Sequence, residues 1–253
     1  MALSTFTNRS ILAASIISVL GWMSPAQAIV LNGDFSNNLN QWETTGDVSI
    51  SNGQALLTTA SSTLEDDYPE PAGQFNFSGT EVIPIGELET FVGVNPLELG
   101  EYAIEGSALK QTFTVQAGDI LSFSWQFLTN EETPDLFGTN DAAFIILKNL
   151  NSSSNVIRLA DTNGVFSPST TLGFSAATGV NTFKSQSLTA GNYILALAIA
   201  GDGDNNVTSA LLVDNVKTQP GNAEPVPEPE SILGLGTAIC LFILKKMQLK
   251  KMK

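Results

Sequence analysis

Thr112-Phe113-Thr114-Val115, a short link Gln116-Ala117-Gly118-Asp119, and then Leu121-Ser122-Phe123-Ser124-Trp125 alternate apolar and polar residues on both sides of a glycine. Period two is the signature of half-buried β-strands. It puts Phe113 and Val115 on one sheet face, and Leu121, Phe123 and Trp125 together on one face of the partner, hydroxyls outward. Gly118 supplies the freedom a tight turn needs, so a hairpin is expected. The pattern recurs where Phe183-Lys184-Ser185-Gln186-Ser187 runs through Thr189-Ala190-Gly191-Asn192 into Tyr193-Ile194-Leu195-Ala196-Leu197.

Outward from these runs the chain repeats short β-rich stretches between Gly, Asn, Asp and Ser, with no 3.6-residue period sustained over three turns. Strands are expected at Ala28 to Leu31, Asp47 to Ser51, Gln54 to Thr58, Ala108 to Val115, Ile120 to Leu128, Ala142 to Asn149, Val156 to Asp161, Asn181 to Ser187, Gly191 to Ala200 and Ser209 to Val216. That spacing predicts an all-β fold, a two-sheet antiparallel β-sandwich of jelly-roll type, over residues 29–217. The stretch from Ser61 to Gly106, with Glu65-Asp66-Asp67 and four prolines (Pro69, Pro71, Pro84, Pro96), is irregular and reads as a long loop with a short element or two. A loop of that length inside a compact domain calls for a function. Residues 218–226, rich in Pro and Gly, read as an extended linker.

Both ends read as addresses. Arg9, an apolar run from Ile11 to Gly21 and Ala26-Gln27-Ala28 make residues 1–28 a secretory signal peptide, with cleavage by signal peptidase after Ala28. At the other end, Pro227-Glu228-Pro229-Glu230 precedes an uncharged apolar run of 14 residues, Ser231 to Leu244, and then Lys245-Lys246 and Lys250-Lys251. As a helix that run would span about 21 Å against a hydrocarbon core of roughly 30 Å, too short for a comfortable permanent anchor. The order of a Pro/Glu element, an apolar segment and a basic stop resembles the PEP-CTERM sorting signal of exopolysaccharide-producing Gram-negative bacteria. The resemblance makes residues 227–253 an exosortase substrate, with transient inner-membrane insertion, processing near Pro227, Glu228 and Pro229, and release to the cell surface or beyond.

Composition narrows the chemistry. All 25 acidic residues lie between Asp34 and Glu230, and only Lys110, Lys148, Arg158, Lys184 and Lys217 oppose them there, leaving the exported part near −20. Such a surface repels phosphate backbones, so nucleic acid is not an expected partner. There is no His, and the only Cys, Cys240, sits in the apolar tail. Ser-His-Asp and Cys-His catalysis, intrachain disulfides and the usual zinc sites are therefore excluded. Carboxylate chemistry and oxygen-liganded calcium remain.

The exported chain opens with Val30-Leu31-Asn32-Gly33-Asp34-Phe35-Ser36, followed by Gln41-Trp42-Glu43, and closes with Leu211-Leu212-Val213-Asp214-Asn215-Val216. Together these resemble the first and last strands of carbohydrate-binding-module-like, galactose-binding-like jelly rolls. In that group the two ends lie side by side, and carboxylates and carbonyls there often hold a structural calcium. Carried over, the ligands would be Asp34 and Asp214, with Asn32 and Asn215 as weaker candidates. Many members place a Glu after the Phe of the opening motif, where this chain has Ser36. A second acidic group, Glu131, Asp135 and Asp141 after one strand and Asp202 and Asp204 after another, is expected to share one rim. Gly201-Asp202-Gly203-Asp204-Asn205-Asn206 is not an EF-hand loop, because Val207 and Val213 occupy the positions needing Gly and a bidentate Glu.

Among the aromatics, Trp42, Tyr68, Phe91 and Tyr102 fall in loop-like sequence, whereas Phe113, Phe123, Trp125, Phe144, Phe183 and Tyr193 fall on strands. None stands out in the sequence as a ligand platform. The leading reading is an exported, non-enzymatic surface or extracellular-matrix protein associated with exopolysaccharide. A calcium-stabilised, lectin-like carbohydrate-binding module is the first alternative, and a carboxylate-based glycoside hydrolase or lyase is the second, which would need an acid pair flanking the scissile bond.

Overall fold

The computed structural model describes residues 29–65, 67–134, 140–152, 154–203 and 206–221. The expected signal sequence with Ala26 and Ala28, the expected sorting element at Pro227, Glu228 and Pro229, and the rim candidates Asp135 and Asp204 all lie outside the described residues. The strands are β1 (Glu43–Thr45), β2 (Val48–Ser51), β3 (Gln54–Thr58), β4 (Ile83–Pro84), β5 (Ala103–Val115), β6 (Ile120–Thr129), β7 (Ala142–Asn149), β8 (Ser154–Asp161), β9 (Ser167–Pro168), β10 (Ala176–Ala177), β11 (Asn181–Lys184), β12 (Gly191–Asp202) and β13 (Ser209–Gln219), with one helix, α1 (Ile85–Val92), after β4.

Two antiparallel sheets form a sandwich. The first runs β1-β5-β12-β7-β8, with β4 also on β5; the second runs β2-β3-β13-β6-β10-β9, with β11 also on β6. The alternation at 112–125 places the side chains as expected: Phe113, Val115, Leu121 and Phe123 all enter one buried cluster between the sheets, with Leu109, Phe127, Leu195, Leu197 and Leu211.

The two expected hairpins are corrected. β5 pairs with β12 and β6 with β13, so the Gln116–Asp119 link crosses from one sheet to the other. The 185–190 link does the same, because β11 pairs with β6 while β12 pairs with β5. The two arches bond to each other instead, Gly118 N to Leu188 O and Leu188 N to Asp119 O, both at 2.8 Å. Alternation requires only that both strands face a common interior. Facing sheets satisfy that as well as one hairpin does.

The opening strand Ala28 to Leu31 is also corrected. Asn32, Phe35, Asn38 and Gln41 all have positive φ, so residues 31–41 form compact turns that no ladder can continue. The segment still docks where the end-to-end expectation put it, Val216 N donating to Gly33 O at 2.8 Å. A Cβ on Gly33 would stand 1.9 Å from the Val216 carbonyl oxygen, so this approach requires glycine. Phe35 and Trp42 are buried with ring centroids 5.4 Å apart, and Trp42 Nε1 donates to Asn32 O at 3.1 Å.

The irregular stretch resolves into covers for the two outer faces. On β12 the run Tyr193-Ile194-Leu195-Ala196-Leu197-Ala198-Ile199-Ala200 turns Ala196, Ala198 and Ala200 outward, where Leu88 and Val92 of α1, with Leu99, pack on them. Leu88 and Val92 are one helical turn apart and so share a face. Gly93 ends the helix in the left-handed region, its N–H returning to Glu89 O at 2.9 Å. Lys148 and Lys110 reach up from the sheet to Gly93 O (2.9 Å) and Phe91 O (3.0 Å), placing cations at the negative end of the helix. The second sheet is covered by Phe75 and Phe174, centroids 4.8 Å apart, packed with Leu56, Leu128 and Leu212.

Candidate functional site

β6 ends and β13 begins at the same end of the sandwich, the rim, opposite the arches. Asn130 N donates to Thr208 O at 3.0 Å there, so the chain just past β6, which carries Glu131, and the chain just before β13 meet at that rim. The 61–82 segment joins them through one side chain. Asp67 Oδ1 accepts from Asn130 Nδ2 (2.9 Å) and Thr208 N (3.1 Å), and Asp67 Oδ2 from Thr208 Oγ1 (2.5 Å). Asn130 Oδ1 in turn accepts from Ser175 N at 2.9 Å. Four separate segments are thus tied around one carboxylate.

They enclose an open pocket of about 490 Å³ lined by Tyr68, Glu70, Phe75, Ser175, Asn206 and Val207 among others. Tyr68 is 84 % exposed, whereas Phe75 is buried beneath it as part of the cover. Asp67, Asn130 and Ser175 spend their hydrogen bonds holding the walls. The Glu70 carboxylate is exposed and, among the described residues, unpartnered. Tyr68, read from the sequence only as a ring in loop-like sequence, stands exposed on the wall of this pocket. Its signal was the Asp67-Tyr68-Pro69-Glu70 run, but only the fold shows that Asn130 and Thr208 grip the neighbouring Asp67.

A smaller cleft of about 320 Å³ lies on the open side of the sandwich, against Trp125, Arg158, Asp161 and Thr178. Trp125 is half-buried on the core, and Arg158 is engaged with Asp161 at 2.9 Å, so its polar groups are largely spent on each other.

Of the other acids, Asp141 and Asp202 meet directly. Asp141 is buried and accepts from Asp202 N at 3.0 Å and Thr59 Oγ1 at 3.3 Å. Glu131 N donates to Thr129 Oγ1, which continues the chain past β6. Asp202 Oδ1 is buried without a partner, although much of the residue faces water. Burial pushes its carboxyl up, and Arg158 opposes the shift only in part. A raised folded-state value means that the protonated form favours folding below about pH 3.8, and that this contribution is lost as pH rises through the raised value. Asp202→Asn, fixing the neutral form, is expected to raise Tm at pH 7 by roughly a degree or two, the exposed part limiting the gain. The difference should vanish below pH 3.8 in a melting series.

At the joined ends, Asp34 is exposed, and the Ser36 N–H and then its hydroxyl hold its carboxyl below the ordinary value. Asp214 accepts from Asn215 N at 2.6 Å on a β-bulge, where Asn215 has φ of 56°. Asn32 spends its amide on Asn38 O and Asn40 O and its side-chain oxygen on Asn37 N. Among the described residues no three acidic, His or Cys side chains gather closely enough to hold a metal by themselves. Calcium here would have to draw on Asp34, Asp214, backbone carbonyls and water.

No family model and no curated protein matches the chain. Among solved structures it is similar to TmCBM61 in complex with β-1,4-galactotriose, at 10 % identity over 77 % of this chain and 99 % of that one, TM-score 0.35. A CBM4 structure aligns at 8 % identity over 73 % and 98 %, TM-score 0.33. The C-terminal family 22 carbohydrate-binding module of Clostridium thermocellum Xyn10B aligns at 9 % over 76 % and 98 %, TM-score 0.29. These likenesses assign neither a site nor a ligand, and the sandwich stands on the strand pairing above. No helix among the described residues is long and apolar enough to cross a membrane.

Proposed function

We propose that this is an exported, non-enzymatic β-sandwich that binds glycan at its rim pocket and acts at the cell surface or in an exopolysaccharide matrix. The observation that carries the reading is the exposed Tyr68 ring in a pocket whose walls are pre-tied by Asp67. A flat ring presents an apolar face to a pyranose, and preformed walls lower the ordering cost of binding. Recognition without turnover is favoured because Asp67 is occupied by three hydrogen bonds, leaving Glu70 as the free carboxylate among the pocket's described residues where hydrolysis needs a pair.

The chain's direction supports surface presentation. β13 runs from the rim at Ser209 to the arch end at Gln219, about 33 Å away at 3.3 Å per residue. Gly221 lies against the Gly118 arch. A C-terminal address at residues 227–253, handled by an exosortase-type enzyme, would leave the rim pointing away from the attachment point. Screening the exported protein on a glycan array tests the reading: oligosaccharide binding that Tyr68→Ala removes supports it, and binding indifferent to Tyr68 sinks it.

Calcium belongs to the same proposal as a stabiliser of the joined ends. A ligand of the folded state alone must raise Tm, by an amount corresponding to about 2.7 kcal/mol at 100 times its Kd. Millimolar calcium is expected to raise Tm in the wild type and not in the Asp34→Ala/Asp214→Ala double variant. Equal curves with and without calcium in the wild type would remove the ion.

A further inference from the structure

Within the rim pocket the polar groups divide into those spent on the walls and those left for a ligand. Asp67, Asn130 and Ser175 belong to the first group. The second contains the Tyr68 ring and the Glu70 carboxylate, which line the same pocket on either side of Pro69. A carboxylate only accepts hydrogen bonds, so it favours a ligand rich in donors. The electron-rich face of an exposed ring attracts a cation. Among the described residues no Lys or Arg lines the pocket, and the exported part carries five basic residues against 25 acidic ones.

We infer that the pocket selects a glycan with a free amino group, an unacetylated hexosamine, with Tyr68 covering the sugar face and Glu70 pairing with the ammonium. This rests on the glycan-binding reading and names the ligand class of that site. An N-acetyl group removes the charge and two of the donors. A uronate brings a second carboxylate against Glu70, in a pocket where no described residue is a cation to receive it.

The test titrates the exported protein with a glucosamine trisaccharide, its N-acetylated counterpart and a galacturonate trisaccharide, in mildly acidic buffer where the amine is charged. The amine form is expected to bind about tenfold more tightly than the N-acetylated form, as a charge-assisted pair does over a neutral one, and the uronate most weakly. Glu70→Gln should erase the preference between the two forms. Glu43→Gln, at an exposed carboxylate 3.5 Å from Lys110 on the first sheet, should leave the preference intact. Equal affinity for the two forms, or a preference that Glu70→Gln keeps or that Glu43→Gln reduces as much, overturns the inference while the glycan reading stands. Failure of all three sugars to bind overturns both.

Discussion

Replacing Asp47 by Ala is expected to cost about 3 kcal/mol of folding stability, a drop of roughly 6–12 °C in Tm for a domain of this size. Asp47 is fully buried where the two sheets and the 61–82 cover meet. Its carboxylate accepts from Thr58 Oγ1 at 2.5 Å, Phe77 N at 3.0 Å and Ser78 N at 2.7 Å. Its own N–H donates to Ser107 Oγ at 2.8 Å, and that hydroxyl donates to Thr58 O at 2.7 Å. Truncation leaves three donors without their acceptor, and a donor deprived of its partner costs more than a hydrogen bond contributes. Asp47→Asn keeps one acceptor oxygen and should fall between Ala and wild type in urea denaturation. A loss under about 1 kcal/mol for Asp47→Ala would show that the cover is held by Phe75 and Phe174 rather than by this carboxylate.

The second large effect concerns binding. Tyr68→Ala is expected to weaken glycan affinity about 30-fold, near 2 kcal/mol, as for an anchoring aromatic at an interface centre. Because the ring is 84 % exposed, Tm should stay within experimental scatter of wild type. Asp67→Ala should weaken binding comparably through a different route, by releasing Asn130 and Thr208 from the 61–82 segment, and should also lower Tm. Calorimetric titration combined with thermal melts separates the two: ring loss without destabilisation, and wall loss with it. A stable Asp67→Ala protein that binds normally would show that the pocket does not depend on this carboxylate.

These residues also show how far the sequence is legible. Alternation over 112–125 identifies two strands and their buried faces, because face assignment depends only on backbone geometry within each strand. Which strand pairs with which depends on the whole sandwich, so Gly118 reads equally well as a hairpin turn or as an arch between sheets. The near-continuous apolar run on β12 was the unused signal. A strand apolar on both sides must be covered on both sides, and the 61–106 stretch was the only long segment free to cover it. Helix α1 was readable in Ile85, Leu88 and Val92, yet at eight residues it falls short of the period needed for a confident helix from sequence.

At the ends, Gly33 and Val216 meet as the opening and closing motifs suggested, although through turns rather than a strand. At the rim, strand order puts Glu131, just past β6, and Asp202, the last residue of β12, at strand ends. The importance of Asp67 was not legible, because its partners Asn130 and Thr208 are 63 and 141 residues away. Tyr68 was visible only as a ring in a loop. Its place on the pocket wall, on which the proposed platform role rests, depends on that long-range tie.

If glycan binds at the rim pocket, amide chemical-shift mapping of the protein during titration with an oligosaccharide it binds gives shifts concentrated at Tyr68, Glu70, Asn130, Ser175 and Val207, with the arch at Gln116 to Asp119 unmoved. Shifts centred instead on Trp125, Arg158 and Thr178, with the rim silent, would contradict binding at the rim.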